Sequence, residues 1–195
     1  MTKLRKPISV RSHSFGRALD DEFLRMCNEW FFAWHHLERG MEVDDFNGGR
    51  IRYSGIDYKG SPQHVFWDAV GRYLQNKIAE GFVRIELLVA EERLDKTREL
   101  EWLSMKIREF KGKIVGRAID LDARLTRRGA GGVPANAQRI HADANQTIDY
   151  LTEAVRVRSA LSAPPLSAIY SWLVKHGIVI TIVLTALGIV VAIIS

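Results

Sequence analysis

Cys27 and His35 stand eight residues apart, about two helical turns, and so share one side of a helix. Thiolate and imidazole are ligands that zinc accepts, and Glu38 and His64 could complete a set of four. The spacing matches no zinc-binding pattern, however. Adjacent His35 and His36 should point to different faces of a helix and cannot grip one metal together. The reading is a buried thiol with histidines at an interface. Ser54-Gly55-Ile56 lacks the Gly-x-Ser-x-Gly frame of a nucleophile elbow. Gly48-Gly49 is followed by no Gly-Lys-Ser or Gly-Lys-Thr and is not a phosphate loop. Glu80, Glu86, Glu91 and Glu92 read as a solvated helix face with basic partners four residues on, as Glu92 has Lys96. A di-metal bundle would need Glu-x-x-His, which is absent. No catalytic residue, cofactor-binding residue or metal ligand is assigned, and no cofactor is expected.

Arg139-Ile140-His141 has one residue between arginine and histidine. The helical HEPN ribonucleases use a longer spacer, so the pair is not taken as such a site. The elements that would have to position any site come next. The chain has 195 residues, 26% charged, with a formal net charge of +5 and a pI of about 9.5. That is mildly basic, short of a dedicated nucleic-acid binder, and nucleic acid is not an expected partner. A single cysteine excludes an intramolecular disulfide framework. The N-terminus is basic, but no apolar stretch of a secretory signal follows it.

Residues 177–195, GIVITIVLTALGIVVAIIS, carry no charge. As a helix they would span about 28 Å, close to the roughly 30 Å hydrocarbon core of a bilayer. Twelve of the nineteen are Ile, Val or Leu. Their insertion sums to an upper bound of about −4 to −7 kcal/mol. Tyr170 and Trp172 suit the membrane interface, and Lys175 is placed to snorkel to headgroups. Arg156, Arg158 and Lys175 precede the run and nothing basic follows it, so the body is expected in the cytoplasm, at the inner membrane if the cell is bacterial. Position at the end of the sequence predicts insertion after translation, as in tail-anchored proteins. Gly177, Thr181, Thr185, Gly188 and Ala192 fall within one sector of roughly 80°, a stripe suited to close contact between transmembrane helices.

The expected fold is all-α: a helical bundle or coiled-coil-like cytosolic body with one long helix, a small hairpin near 50–58 and a single C-terminal transmembrane helix. Residues 1–18 read as a basic flexible arm, 19–161 as the cytosolic domain with a Gly-rich linker at 126–135, 162–176 as a juxtamembrane segment and 177–195 as the anchor. A first helix is predicted from Asp20 to Gly40, with Leu19, Phe23, Met26, Cys27, Trp30, Trp34 and Leu37 as its apolar stripe. Ser61-Pro62 starts the next. Its seam runs Phe66, Val70, Tyr73, Ile78, Phe82, Ile85 and Val89, then Leu100, Leu103, Ile107, Phe110, Ile114, Ala118, Leu121 and Leu125. The polar stretch EERLDKTRE interrupts it, but no Gly or Pro supplies a turn, so one long helix is preferred over two. A last helix is expected from Asn136 to Leu161, with Ile140, Ala144, Ile148, Leu151 and Val155 facing inward, antiparallel to the long one.

The function these features predict is a tail-anchored, single-pass scaffold or adaptor. Its helical domain would self-assemble or bind a protein partner at the lipid bilayer. Alternatives are an oligomeric pore-forming or membrane-disrupting effector and a membrane-tethered enzyme without a recognisable motif.

Overall fold

Three long stretches repeat apolar residues every three or four positions, and helices so apolar on one side must bury that side against one another. In the computed structural model, which describes residues 7–55, 62–90, 96–126 and 134–161, they do so mutually. The chain runs through α1 (Val10–Met26), a π-helical turn (Cys27–Phe31), the short α2 (Phe32–His35), a 3-10 turn (Leu37–Arg39), β1 (Met41–Asp44), β2 (Arg50–Tyr53), α3 (Pro62–Val89), α4 (Lys96–Thr126) and α5 (Pro134–Leu161). The architecture is an all-α bundle with one small hairpin.

The predicted long helix is two. α3 ends at Val89, α4 begins at Lys96, and the pair packs antiparallel. Gly81 lies so near α4 that a Cβ there would sit 2.5 Å from Ile107 Cδ1. The reason is burial. One straight helix would leave both halves of the seam in water, whereas folding back sets them face to face. At about 1.5–3 kcal/mol per buried large apolar side chain, this outweighs continuing the helix across a charged stretch with one leucine. Every seam residue named above, from Phe66 to Leu125, is buried.

α5 closes a third side, antiparallel to α4 and parallel to α3. Its register rests on polar pairs across α4: Arg108 with Asp149, Lys111 with Asn145, and Thr152 donating to Ser104 at 3.1 Å. Lys111 is only 4% exposed. Burial, with Arg108 adding to it, pushes its ammonium pKa down. α1 fills the remaining groove, parallel to α4. It begins at Val10, ten residues before Asp20 and inside the segment expected to be a flexible arm. Ser9 caps it, its side chain accepting from Ser12 N–H at 3.1 Å. Buried Glu99, in the first turn of α4, accepts from Ser9 N–H at 2.7 Å and from the Ser12 hydroxyl.

β1 and β2 pair antiparallel, Met41 opposite Tyr53 and Val43 opposite Ile51. The hairpin therefore spans 41–53 rather than 50–58, with Asn47-Gly48-Gly49 in its turn. Among the described residues no helix is long and apolar enough to cross a membrane. Gly177, Thr181, Thr185, Gly188, Ala192, Tyr170, Trp172 and Lys175 all lie outside the described residues.

Two glycine substitutions should move stability in opposite directions. Gly55 has φ +73°, and a Cβ would meet the Glu38 carbonyl oxygen at 2.7 Å. Gly55→Ala is expected to cost about 1–3 kcal/mol. Gly112, inside α4, has open space around it, and Gly112→Ala should add about 0.5–1 kcal/mol. Urea unfolding of both variants measures the two shifts.

Candidate binding groove

The π-helical turn is where α1 stops being a plain amphipathic helix. One wide turn lets neighbouring Trp30 and Phe31 both face inward, at 4% and 0% exposure. Trp30 then meets Phe66 in a stacked arrangement with ring centroids 5.4 Å apart, and Phe46 at 5.6 Å. Phe46 in turn lies 4.8 Å from Tyr73. Trp30, Phe46 and Tyr73 line a groove of about 830 Å³ between the end of α1, the hairpin and the middle of α3.

The hairpin that forms its far wall is held through backbone carbonyls. Three consecutive ones each accept from a helix side chain. Trp30 Nε1 donates to Asp44 at 2.8 Å, Arg72 Nε to Asp45 at 2.8 Å, and Asn76 Nδ2 to Phe46 at 3.0 Å. The Asp45 carboxylate accepts from Asn47 and Gly49 N–H groups, which lowers its pKa. Phe46 sits at φ +59°, a left-handed conformation that a bulky residue rarely takes. Its N–H donates to Asp44 Oδ1 at 2.6 Å, so the residue is held from its amide to its carbonyl.

The opposite wall carries Arg25, Glu29, Lys77 and Glu80, charges that Glu22 links into one network. Arg25 donates to it through Nε and Nη2, both at 2.8 Å, and to Glu29 through Nη1 at 2.8 Å. The Tyr73 hydroxyl donates to Glu22 at 2.9 Å, and Lys77 lies 3.5 Å from Glu22 and 2.9 Å from Glu80. The paired Arg25 holds the Glu22 carboxyl at about 2, well below its ordinary value. Burial, then the neighbouring carboxylate, pushes the Tyr73 phenol up. Glu42, Asp44 and Arg50 complete the rim. The groove thus has an aromatic floor and walls of both charge signs. It offers apolar contact below and charge of both signs at its edges.

The residues first considered for chemistry stand elsewhere. Cys27 is half-buried, and burial raises its thiol pKa. The rings of His35 and His36 do meet edge-on, centroids 5.0 Å apart, because α2 ends at His35 and His36 leaves helical geometry. His35 contacts Arg124 on α4, and burial together with that charge lowers its pKa. His64 is exposed in the first turn of α3. Among the described residues no three His, Cys, Asp or Glu side chains could hold a metal ion together. His141 lies 3.4 Å from Lys111 Nζ, and Glu86 pairs with Arg158. The groove itself left faint traces in the sequence. Asn47-Gly48-Gly49 marks the turn, while Glu22 and Tyr73 are far apart in the chain and nothing couples them in one dimension.

Comparison of the chain with family models, with curated proteins and with solved structures finds no match.

Glu22 has a pH signature. Its folded pKa is depressed, so its contribution is present above its ordinary value of 4.5 and is lost as pH falls toward about 2. Thermal melts across that window should show stability falling with acid, and Glu22→Gln should flatten this part of the curve while lowering the melting temperature at neutral pH. An unchanged slope in the variant would remove Glu22 from this role.

Proposed function

We propose that this protein is a membrane-anchored helical adaptor. The apolar run at 177–195 crosses a bilayer once, and the body, on the cytoplasmic side, binds a protein partner through the groove beside the hairpin. The observation that carries the reading is that uncharged run itself, following a body whose described helices bury their apolar seams in one cluster. α3, α4 and α5 bury their seams against one another and against α1. A nineteen-residue uncharged stretch of this kind partitions to lipid. The stripe of Gly177, Thr181, Thr185, Gly188 and Ala192 would bring anchors of several copies together in the bilayer, giving a homo-oligomer.

The groove supports the adaptor part. Its aromatic floor and mixed-charge rim suit a peptide segment that offers an apolar anchor flanked by charges. The charges around it are already paired within the protein, which favours docking over turnover.

A chain ending at His176 tests the anchor. Expressed beside the full chain, it should move from the carbonate-resistant membrane pellet to the soluble fraction while keeping its helical circular dichroism. A folded body that remains in carbonate-washed membranes without residues 177–195 would contradict the reading.

A further inference from the structure

We infer that the bundle stands end-on against an anionic lipid surface, on the end built from the start of α1, the last turn of α3, the first turn of α4 and the last turn of α5. This rests on the membrane reading above and goes beyond it, because an anchor alone leaves the body free to lie on any side.

Two contacts set the geometry. Glu99 in the first turn of α4 holds Ser9 and Ser12, so the chain before Ser9 leaves from that end of the bundle. Arg158 donates to Glu86 at 3.2 Å, with side chains only 10% and 12% exposed, and ties the last turn of α5 to the last turn of α3. The chain after Leu161 therefore leaves from the same end. What leaves there differs in kind and agrees in partner. Residues 1–19 contain Lys3, Arg5, Lys6, Arg11 and Arg17 and no acid. The C-terminal side leads through fifteen residues, 162–176, to the apolar run. Those fifteen would cover about 22 Å as a helix and at most about 50 Å extended, so this end cannot stray far from the headgroups.

The surface between the two exits fits a headgroup layer. Val10, Leu87 and Val157 are 78%, 57% and 38% exposed there, beside Arg84 and Lys96. Of the described acids near this end, Glu86 is engaged by Arg158, Glu99 by Ser9 and Ser12, and Glu153 by Arg156, while Glu101 on α4 is exposed. Glu91, Glu92 and Asp95 belong to the segment between α3 and α4, outside the described residues. Anionic lipid draws basic segments only within about a Debye length, so the Lys3–Lys6 segment acts only if this end faces the bilayer. The groove then lies away from the lipid, open to a partner.

Depth of the full chain in vesicles tests this. With Cys27→Ser as background, Val10→Cys or Ala123→Cys carries a donor fluorophore, and the vesicles carry a headgroup acceptor. The two positions differ by about 36 Å along α4. The chain is reconstituted into phosphatidylcholine vesicles with or without phosphatidylserine, and flotation is scored first. In floated vesicles containing phosphatidylserine, transfer from Val10→Cys should exceed that from Ala123→Cys several-fold. Lys3→Glu, Arg5→Glu and Lys6→Glu together should bring it down to the value in phosphatidylcholine alone. Equal transfer from the two positions, a reversed order, or indifference to both phosphatidylserine and charge reversal overturns the inference while the anchor stands. A chain that does not float overturns the membrane reading and this inference with it.

Discussion

The mutual burial of α3 and α4 is the constraint on which the other features depend. Their apolar seams are continuous in rhythm and separated by a charged stretch, and each can leave water only by facing the other. Their shared core includes Phe66, Phe82, Leu103, Ile107 and Ile114, all at 0–1% exposure. Large apolar side chains buried to that degree contribute about 1.5–3 kcal/mol each, against about 0–1 kcal/mol for an exposed ion pair such as Lys106 with Glu109. Once the chain has folded back, α5 has one side to cover and α1 another. Where α1 and α5 dock then decides where the termini emerge and where the hairpin sits.

Polar groups refine this arrangement rather than drive it. Buried Glu99 selects where α1 begins, and Lys111, Arg108 and Ser104 select the register of α5. Burying a charge is costly unless it is well paired, and Lys111 finds Asn145 and His141 rather than a carboxylate at its tip. Such contacts trade stability for a defined alignment. On the other side of the bundle, donors from Trp30, Arg72 and Asn76 to successive carbonyls hold a hairpin too small to be stable alone. Arg25, Lys77 and Glu80, linked through Glu22, face that hairpin across the groove, and under the proposed adaptor role a partner would meet a surface already set in place.

Much of the bundle was legible in one dimension, since three-and-four spacing marks the buried face of a helix whichever partner covers it. Phe66 through Leu125 and Ile140 through Val155 read correctly for that reason, Leu151 being partly covered rather than fully buried. The break between α3 and α4 was harder, because neither glycine nor proline marks it and its signal is only a run of charge. The start of α1 depends on Glu99, ninety residues from Ser9, and no local pattern carries that information. β1 has only Met41 and Val43 as alternating apolar positions, and the hairpin was therefore placed too late in the chain. The groove was least legible of all: it needs the π-helical turn, the loop conformation at Phe46 and the pairing of Glu22 with Tyr73, and each of these exists only after packing.

Hydrogen exchange addresses most directly the central claim that the body folds on its own seams and leaves the apolar run to lipid. Amide protection would be compared between the full chain in vesicles and residues 1–161 in water. The account predicts the same protected amides in α1, α3, α4 and α5 in both, with the facing turns of α3 and α4 slowest to exchange. Loss of protection along those turns when the remaining residues are absent would show that the apolar run belongs to the core, and would contradict the account.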